Sequence, residues 1–190
     1  MLSAFLVSLG VIFVAELGDK SQLMALTFAT RFPIGVVLAG ITVATALVHA
    51  VSVFIGAAVG ASLPDRPIKV IAAVAFVIFA LWTLRGDRLS DEEKERTRDR
   101  KHSAFFVVGG VFFLAELGDK TMLATVTLAA EHGLFGTWLG STVGMVLADG
   151  LAIVVGRHLG SRLPERAIRI GAALLFFAFA LWLFVEAARA

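Results

Sequence analysis

The chain has 190 residues, 58% of them hydrophobic, and its mean hydropathy is +0.89. A soluble domain of this length carries far more polar surface, so the composition indicates an integral membrane protein with little mass outside the bilayer. The net charge is only +2, and the basic residues do not form a nucleic-acid-binding surface, because most of them lie in short loops between apolar segments. The lack of cysteine excludes disulfides and thiolate metal sites.

Six apolar segments of 17 to 29 residues follow one another along the chain. A transmembrane helix needs about 20 residues. The first has no basic leading region and no cleavage motif, which indicates a mature helix and not a signal peptide. A charged run, RGDRLSDEEKERTRDRKH, separates the third segment from the fourth and is typical of a solvated linker. The segments cover residues 2–30, 34–60, 68–84, 103–130, 134–160 and 167–185.

The two halves of the chain are copies of one unit. When residues 1–90 are compared with 101–190 without a gap, 33 of the 90 positions are identical. Three spans per copy is an odd number, so the second copy enters the membrane from the opposite side. The sequence therefore predicts an all-α membrane protein with six transmembrane helices in two inverted three-helix repeats: repeat one in residues 1–84, a cytosolic linker in 85–102 and repeat two in 103–190.

The loop charges predict the orientation. In the six-helix arrangement, 12 Lys and Arg residues fall on the side that holds the linker, and 3 fall on the other side. Cytoplasmic loops carry the excess of basic residues. We therefore expect the linker to lie in the cytosol and both termini outside.

Each copy places the same three charges inside an apolar segment, in AELGDKSQL (residues 15–23) and AELGDKTML (residues 115–123). A charge at mid-membrane costs at least ~2.5–3.5 kcal/mol and must be paired or face water. Glu16 lies three residues from Asp19 and four from Lys20, so we expect the three side chains to share one face of a helix. We expect these groups to face the interior of the bundle.

The charges do not cancel within the motifs. Each copy has two carboxylates and one ammonium group, so two copies that meet carry a net charge of −2, which one divalent cation or two protons would neutralise. The motifs offer only oxygen ligands, which suit Ca²⁺, Mn²⁺ or Mg²⁺ better than Cu⁺ or Zn²⁺. The predicted ligands are Glu16, Asp19, Ser21, Glu116, Asp119 and Thr121, with Lys20 and Lys120 in charge balance.

Two further ionisable residues, His49 and Asp149, occupy matched positions in the second and fifth segments. One interpretation is proton coupling or an additional ligand, since intramembrane ionisable groups are usually functional. The alternative is structural: a His that bonds to a neighbouring helix, and an Asp paired with Lys20 or Lys120.

The duplicated E-x-G-D-K-[ST] motif, one copy in each half, resembles that of the Gdt/MneA-type Mn²⁺/Ca²⁺–proton antiporters. The resemblance extends from Leu2 to about Val185. It implies that Glu16, Asp19, Glu116 and Asp119 are the acidic transport residues, and that the chain is a multi-pass protein of a bacterial inner membrane. Its partners would be the lipid bilayer, the transported cation and protons; a homo-oligomer is left open, and no nucleic acid or cofactor is expected.

The predicted function is therefore secondary active exchange of Mn²⁺, or of Ca²⁺, for protons, with export of Mn²⁺. An amino-acid or small-metabolite exporter, a channel, and a membrane scaffold or assembly factor are the alternatives. We expect no enzyme, because no nucleophile–base pair or phosphate-binding loop is present in the sequence.

Overall fold

The computed structural model describes residues 1–85, 103–159 and 165–189, and every regular element in these ranges is an α-helix. The fold class is therefore all-α, as predicted. The predicted linker, apart from Arg85, lies outside the described residues. The helices are α1 (Leu2–Glu16), α2 (Lys20–Ala29), α3 (Ile34–Ser62), α4 (Asp65–Arg85), α5 (Ala104–Glu116), α6 (Lys120–His132), α7 (Leu134–Leu159) and α8 (Glu165–Arg189).

The first and fourth apolar segments are not single helices. α1 and α2 meet at an angle of 77° across a three-residue break, and α5 and α6 are separated at the matching positions. The expectation that the motif side chains share one continuous helix face was therefore wrong. The backbone of each motif turns at its glycine, so Glu16 ends one helix and Lys20 begins the next.

The length and apolar character of the helices show a membrane protein. Four helices in the described ranges, α3, α4, α7 and α8, can each cross a bilayer, and the bent pair of α1 and α2 makes a fifth candidate span. α5 is apolar but shorter. Large apolar side chains cover the outside of the bundle, as a lipid-facing surface requires; they include Leu6, Phe54, Phe106, Leu174 and Leu181.

Helices of one repeat pack mainly on helices of the other. α1 lies against α7, and its counterpart α5 lies against α3. α2 packs on α7 and α6 packs on α3, while α4 pairs with α8. Exchanging the two repeats, which are offset by 100 residues, turns the α1–α7 contact into the α5–α3 contact and the α2–α7 contact into the α6–α3 contact. The α4–α8 contact is unchanged by this exchange. The principal packing therefore follows the duplication seen in the sequence.

Glycine lets α1 and α7 come very close. A Cβ added at Gly144 would lie 2.6 Å from the carbonyl oxygen of Leu9, and one at Gly136 would lie 2.6 Å from that of Met1. The backbones are therefore in direct contact, as small residues allow in membrane helices. This packing holds α1, which ends at the first motif, against α7.

Candidate functional site

The two motifs form matching helix breaks. In repeat one, Leu17 and Asp19 are extended and Gly18 between them has a φ of +77°. In repeat two, Gly118 has a φ of +80°. Glycine adopts this region without steric cost, so it allows a sharp turn inside an apolar segment. Each break places a Glu at the end of one helix and an Asp at the N-cap of the next.

The charged and hydroxyl side chains of the two motifs lie mostly inside the protein. Most predicted site side chains are buried, and Lys20 is the partly exposed member of the set, with 18% of its side chain accessible. Burial of this many charges in a bilayer requires compensation within the protein. The buried members are Glu16, Asp19, Ser21, Glu116, Asp119, Lys120 and Thr121.

Lysines from each repeat pair with aspartates of the other. Lys120 Nζ donates a hydrogen bond to Asp19 Oδ1 at 2.5 Å, with 4% and 0% of the two side chains exposed. Lys20 Nζ lies 3.7 Å from Asp119 Oδ1. The structure therefore brings the two motifs together, and the ion pairs cross between the repeats.

The two glutamates have different surroundings. Glu116 Oε2 accepts a hydrogen bond of 2.8 Å from Thr121, whereas Glu16 has no hydrogen-bond partner on either oxygen among residues 1–85, 103–159 and 165–189. Ser21, the counterpart of Thr121, instead lies 3.5 Å from Asp19 Oδ2. The two glutamates interact electrostatically with each other. Two acidic groups that are incompletely paired thus remain beside the ion pairs.

This arrangement does not form a complete cation site. Within the described part of the chain, no three His, Asp or Glu side chains are grouped closely enough to hold a metal ion. Instead, ammonium groups of the lysines contact aspartates that were predicted as ligands. In this structure, the ammonium groups of Lys20 and Lys120 therefore occupy part of the carboxylate oxygens that were predicted to bind a cation.

His49 and Asp149 are not equivalent in the structure. His49 Nδ1 lies 3.4 Å from Thr142 Oγ1 of α7, which matches the structural alternative for this residue. Neither oxygen of Asp149 has a hydrogen-bond partner in the part of the chain that the structure describes. No hydrogen bond therefore joins Asp149 to Lys20 or Lys120 in this structure.

Polar contacts that were not predicted from the sequence join α3 to α7. Thr45 Oγ1 donates to Met145 Sδ at 3.4 Å, and Trp138 Nε1 donates to the carbonyl oxygen of Ala46 at 2.9 Å. These residues carry no charge, so the free-energy cost of a charge inside the membrane could not be used to identify them. The available signal was that Thr45 and Met145 occupy equivalent repeat positions.

Comparison with known proteins places these features in a family. The family model described as the divalent cation/proton antiporter GDT1 matches residues 4–91 and 104–190. A candidate manganese exporter of Vibrio cholerae serotype O1 is 35% identical over 185 residues, which cover 95% of this chain and 90% of that protein. A GDT1-like protein of Synechocystis is 31% identical over 198 residues, covering 95% and 96% of the two chains.

A less similar relative also matches over nearly the whole chain. GDT1-like protein 5 of Arabidopsis thaliana is 27% identical over 214 residues, covering 94% of each chain. No solved structure matches the sequence. The family matches fall on both repeats and include both motifs, which confirms the resemblance seen in the sequence. The chain therefore belongs to the divalent cation/proton antiporter family GDT1.

Proposed function

We propose that this protein is a secondary active transporter that exports Mn²⁺ in exchange for protons, with Ca²⁺ as the alternative cation. The observation that carries the proposal is the pair of helix breaks that meet inside the bundle, where Lys120 contacts Asp19 and Lys20 lies beside Asp119. Such crossed pairs can be exchanged for pairs with an external cation. The family and the manganese-export name of the Vibrio cholerae relative support this choice of substrate.

The transported cation would bind to oxygen atoms from both breaks. In this mechanism the two lysines leave the aspartates as the cation arrives, so the carboxylates are compensated in either state. The buried glutamates, which lack full pairing, take up protons when the cation leaves, because an isolated buried carboxylate is costly. The proposed ligands are Glu16, Asp19, Ser21, Glu116, Asp119 and Thr121, with Lys20 and Lys120 in charge balance.

We further propose six transmembrane segments in two inverted repeats, residues 1–84 and 103–190, joined by a cytosolic linker in 85–102. In this arrangement the bent pair α1–α2 and the pair α5–α6 each serve as one broken span. Broken helices at a repeat interface are a common way to build a transport site at the membrane midplane. The proposed location is a bacterial inner membrane with both termini outside, which the distribution of basic residues supports.

The test is exchange in proteoliposomes, with a pH-sensitive dye reporting protons and Mn²⁺ added outside. Glu16→Gln and Glu116→Gln should each abolish Mn²⁺-dependent proton flux while the protein still purifies as a folded species. Glu186→Gln, at the end of α8 and 36% exposed, serves as the matched control and should retain flux. Normal exchange by either motif variant would remove that glutamate from the mechanism.

The charge count also sets the coupling. Exchange of one Mn²⁺ for two protons is electroneutral, so an imposed membrane potential should leave the rate unchanged. A strong dependence on the potential would contradict this stoichiometry. Proton-independent flux would indicate a channel instead, competition by amino acids would indicate a metabolite exporter, and loss of folding in both glutamate variants would indicate a scaffold.

A further inference from the structure

Asp149 is a buried carboxylate to which the described part of the structure gives no hydrogen bond. It lies on α7, has no accessible surface, and neither of its oxygens has a hydrogen-bond partner among the described residues. Buried polar side chains in proteins are almost always hydrogen-bonded, so an exception of this kind requires an explanation. A carboxylate with both oxygens available is suited to binding a cation.

The position of Asp149 connects it to both motifs. Its carboxylate interacts electrostatically with those of Glu16 and Glu116, and also with that of Asp19. Glu16 is the other buried carboxylate that has no hydrogen-bond partner on either oxygen within the described ranges. Two buried carboxylates without a hydrogen bond therefore lie in the same charged region of the protein.

A side chain of repeat one forms a hydrogen bond to α7, and its counterpart in repeat two lacks the donor that the equivalent bond would need. Gln22 Oε1 accepts a hydrogen bond of 2.8 Å from the Gly18 N–H, and its Nε2 donates one of 3.0 Å to the carbonyl oxygen of Ala148. The matching residue, Met122, accepts from the Gly118 N–H through its sulfur at 3.2 Å and has no donor of its own. The Gln22 amide thus joins the first helix break to the residue before Asp149.

The repeat counterpart of Asp149 is a different chemical group in a different contact. His49 faces Thr142 across the interface between α3 and α7, at 3.4 Å. The site therefore has a carboxylate at one of two equivalent positions and an engaged imidazole at the other. Although the backbone packing follows the duplication, the ligand chemistry does not.

We propose that Asp149 is a direct oxygen ligand of the transported divalent cation, on the repeat-one side of the site together with Glu16, and that Gln22 is its positioning residue. This inference rests on the proposed function and makes the two motifs unequal. Divalent hard cations such as Mn²⁺ and Ca²⁺ take carboxylate oxygens, and an added charged ligand raises their affinity. The cation would then be held more tightly at the first helix break, beside Asp149 of α7, than at the second break.

The experiment measures Mn²⁺ binding to the purified full-length protein by electron paramagnetic resonance of free Mn²⁺, beside exchange in proteoliposomes. Asp149→Asn should raise the Kd for Mn²⁺ by about tenfold or more, because one charged ligand is lost. His49→Gln, at the equivalent position, should change Kd by less than about twofold, which is the expectation for a residue that does not bind the ion.

The positioning role has its own matched pair. Gln22→Met gives repeat one the residue of repeat two and should raise Kd by about tenfold, as loss of a ligand's support typically does. Met122→Gln makes the reverse change and should leave Kd unaltered. Thermal unfolding midpoints close to the wild-type value in both variants would separate positioning from general damage to the fold.

An unchanged Kd in Asp149→Asn, with normal exchange by the wild type, would overturn this inference and leave the proposed function intact. Wild-type protein that neither binds Mn²⁺ nor exchanges it would instead overturn the proposed function. If Asp149→Asn does not fold, Asp149→Glu decides: an unaltered Kd and an unaltered preference between Mn²⁺ and Ca²⁺ in that longer variant would refute direct ligation.

Discussion

The crossed ion pairs predict unequal contributions to stability. The Lys120–Asp19 pair joins side chains that are 4% and 0% exposed at 2.5 Å, whereas the Lys20–Asp119 pair spans 3.7 Å and its lysine is 18% exposed. Removal of one partner from a buried pair costs about 3–5 kcal/mol, because the other charge remains uncompensated. We therefore expect Lys120→Met to destabilise the protein by about 3–5 kcal/mol, and Lys20→Met to cost less because water reaches its ammonium group.

A double-mutant cycle isolates the interaction itself. Asp19→Asn combined with Lys120→Met removes both charges, so the double variant should be more stable than the sum of the single changes predicts. The coupling energy should fall near the upper end of the ~0.5–3 kcal/mol range for residues in contact, and the cycle on Lys20 and Asp119 should give a smaller value.

The measurement is reversible unfolding in mixed detergent micelles, with the same protocol for all variants. The helix signal should report a single transition for the comparison to be valid. A coupling energy below about 0.5 kcal/mol for Lys120 with Asp19, or equal values for the two cycles, would refute the argument that burial and distance set their strength.

Two other substitutions test the backbone features. Gly144→Ala places a Cβ 2.6 Å from a carbonyl oxygen of α1 and should destabilise the protein by about 1–3 kcal/mol, whereas Gly110→Ala, which meets nothing within 4 Å, should be neutral or stabilising; equal unfolding midpoints would contradict the close contact. Gly118→Ala forces a side chain onto a φ of +80° and should cost about 1–3 kcal/mol in the same assay, with no loss indicating a different local backbone.

Much of the helix pattern could be predicted from the sequence. The apolar segments and the polar breaks between them set most of the helix ends, since a bilayer leaves little choice but helices. The first motif could have been read as a break as well. A Gly that follows a helix and an Asp before the next one are typical stop and start signals, and Gly18–Asp19 contains both. Because apolar residues flank the motif on both sides, the segment was instead interpreted as one continuous transmembrane helix.

The pairing of charges could not be predicted from spacing. Within one repeat, Glu16 and Lys20 are four residues apart, which favours a local pair in a continuous helix. The structure instead pairs Lys120 with Asp19, a contact across 101 positions that depends on how two breaks meet. In the same way, the match between His49 and Asp149 in sequence gave no indication that their environments differ.

The packing of α1 on α7, and of α5 on α3, also bears on how the protein can move. The boundary between the repeats in the sequence does not separate two independently packed units, because the first helix of each repeat packs on the long central helix of the other. A rearrangement that kept these closely packed pairs together would therefore move helices of both repeats as one unit, α1 with α7 and α5 with α3. If the chain were cut between the repeats, neither fragment would contain both helices of such a pair.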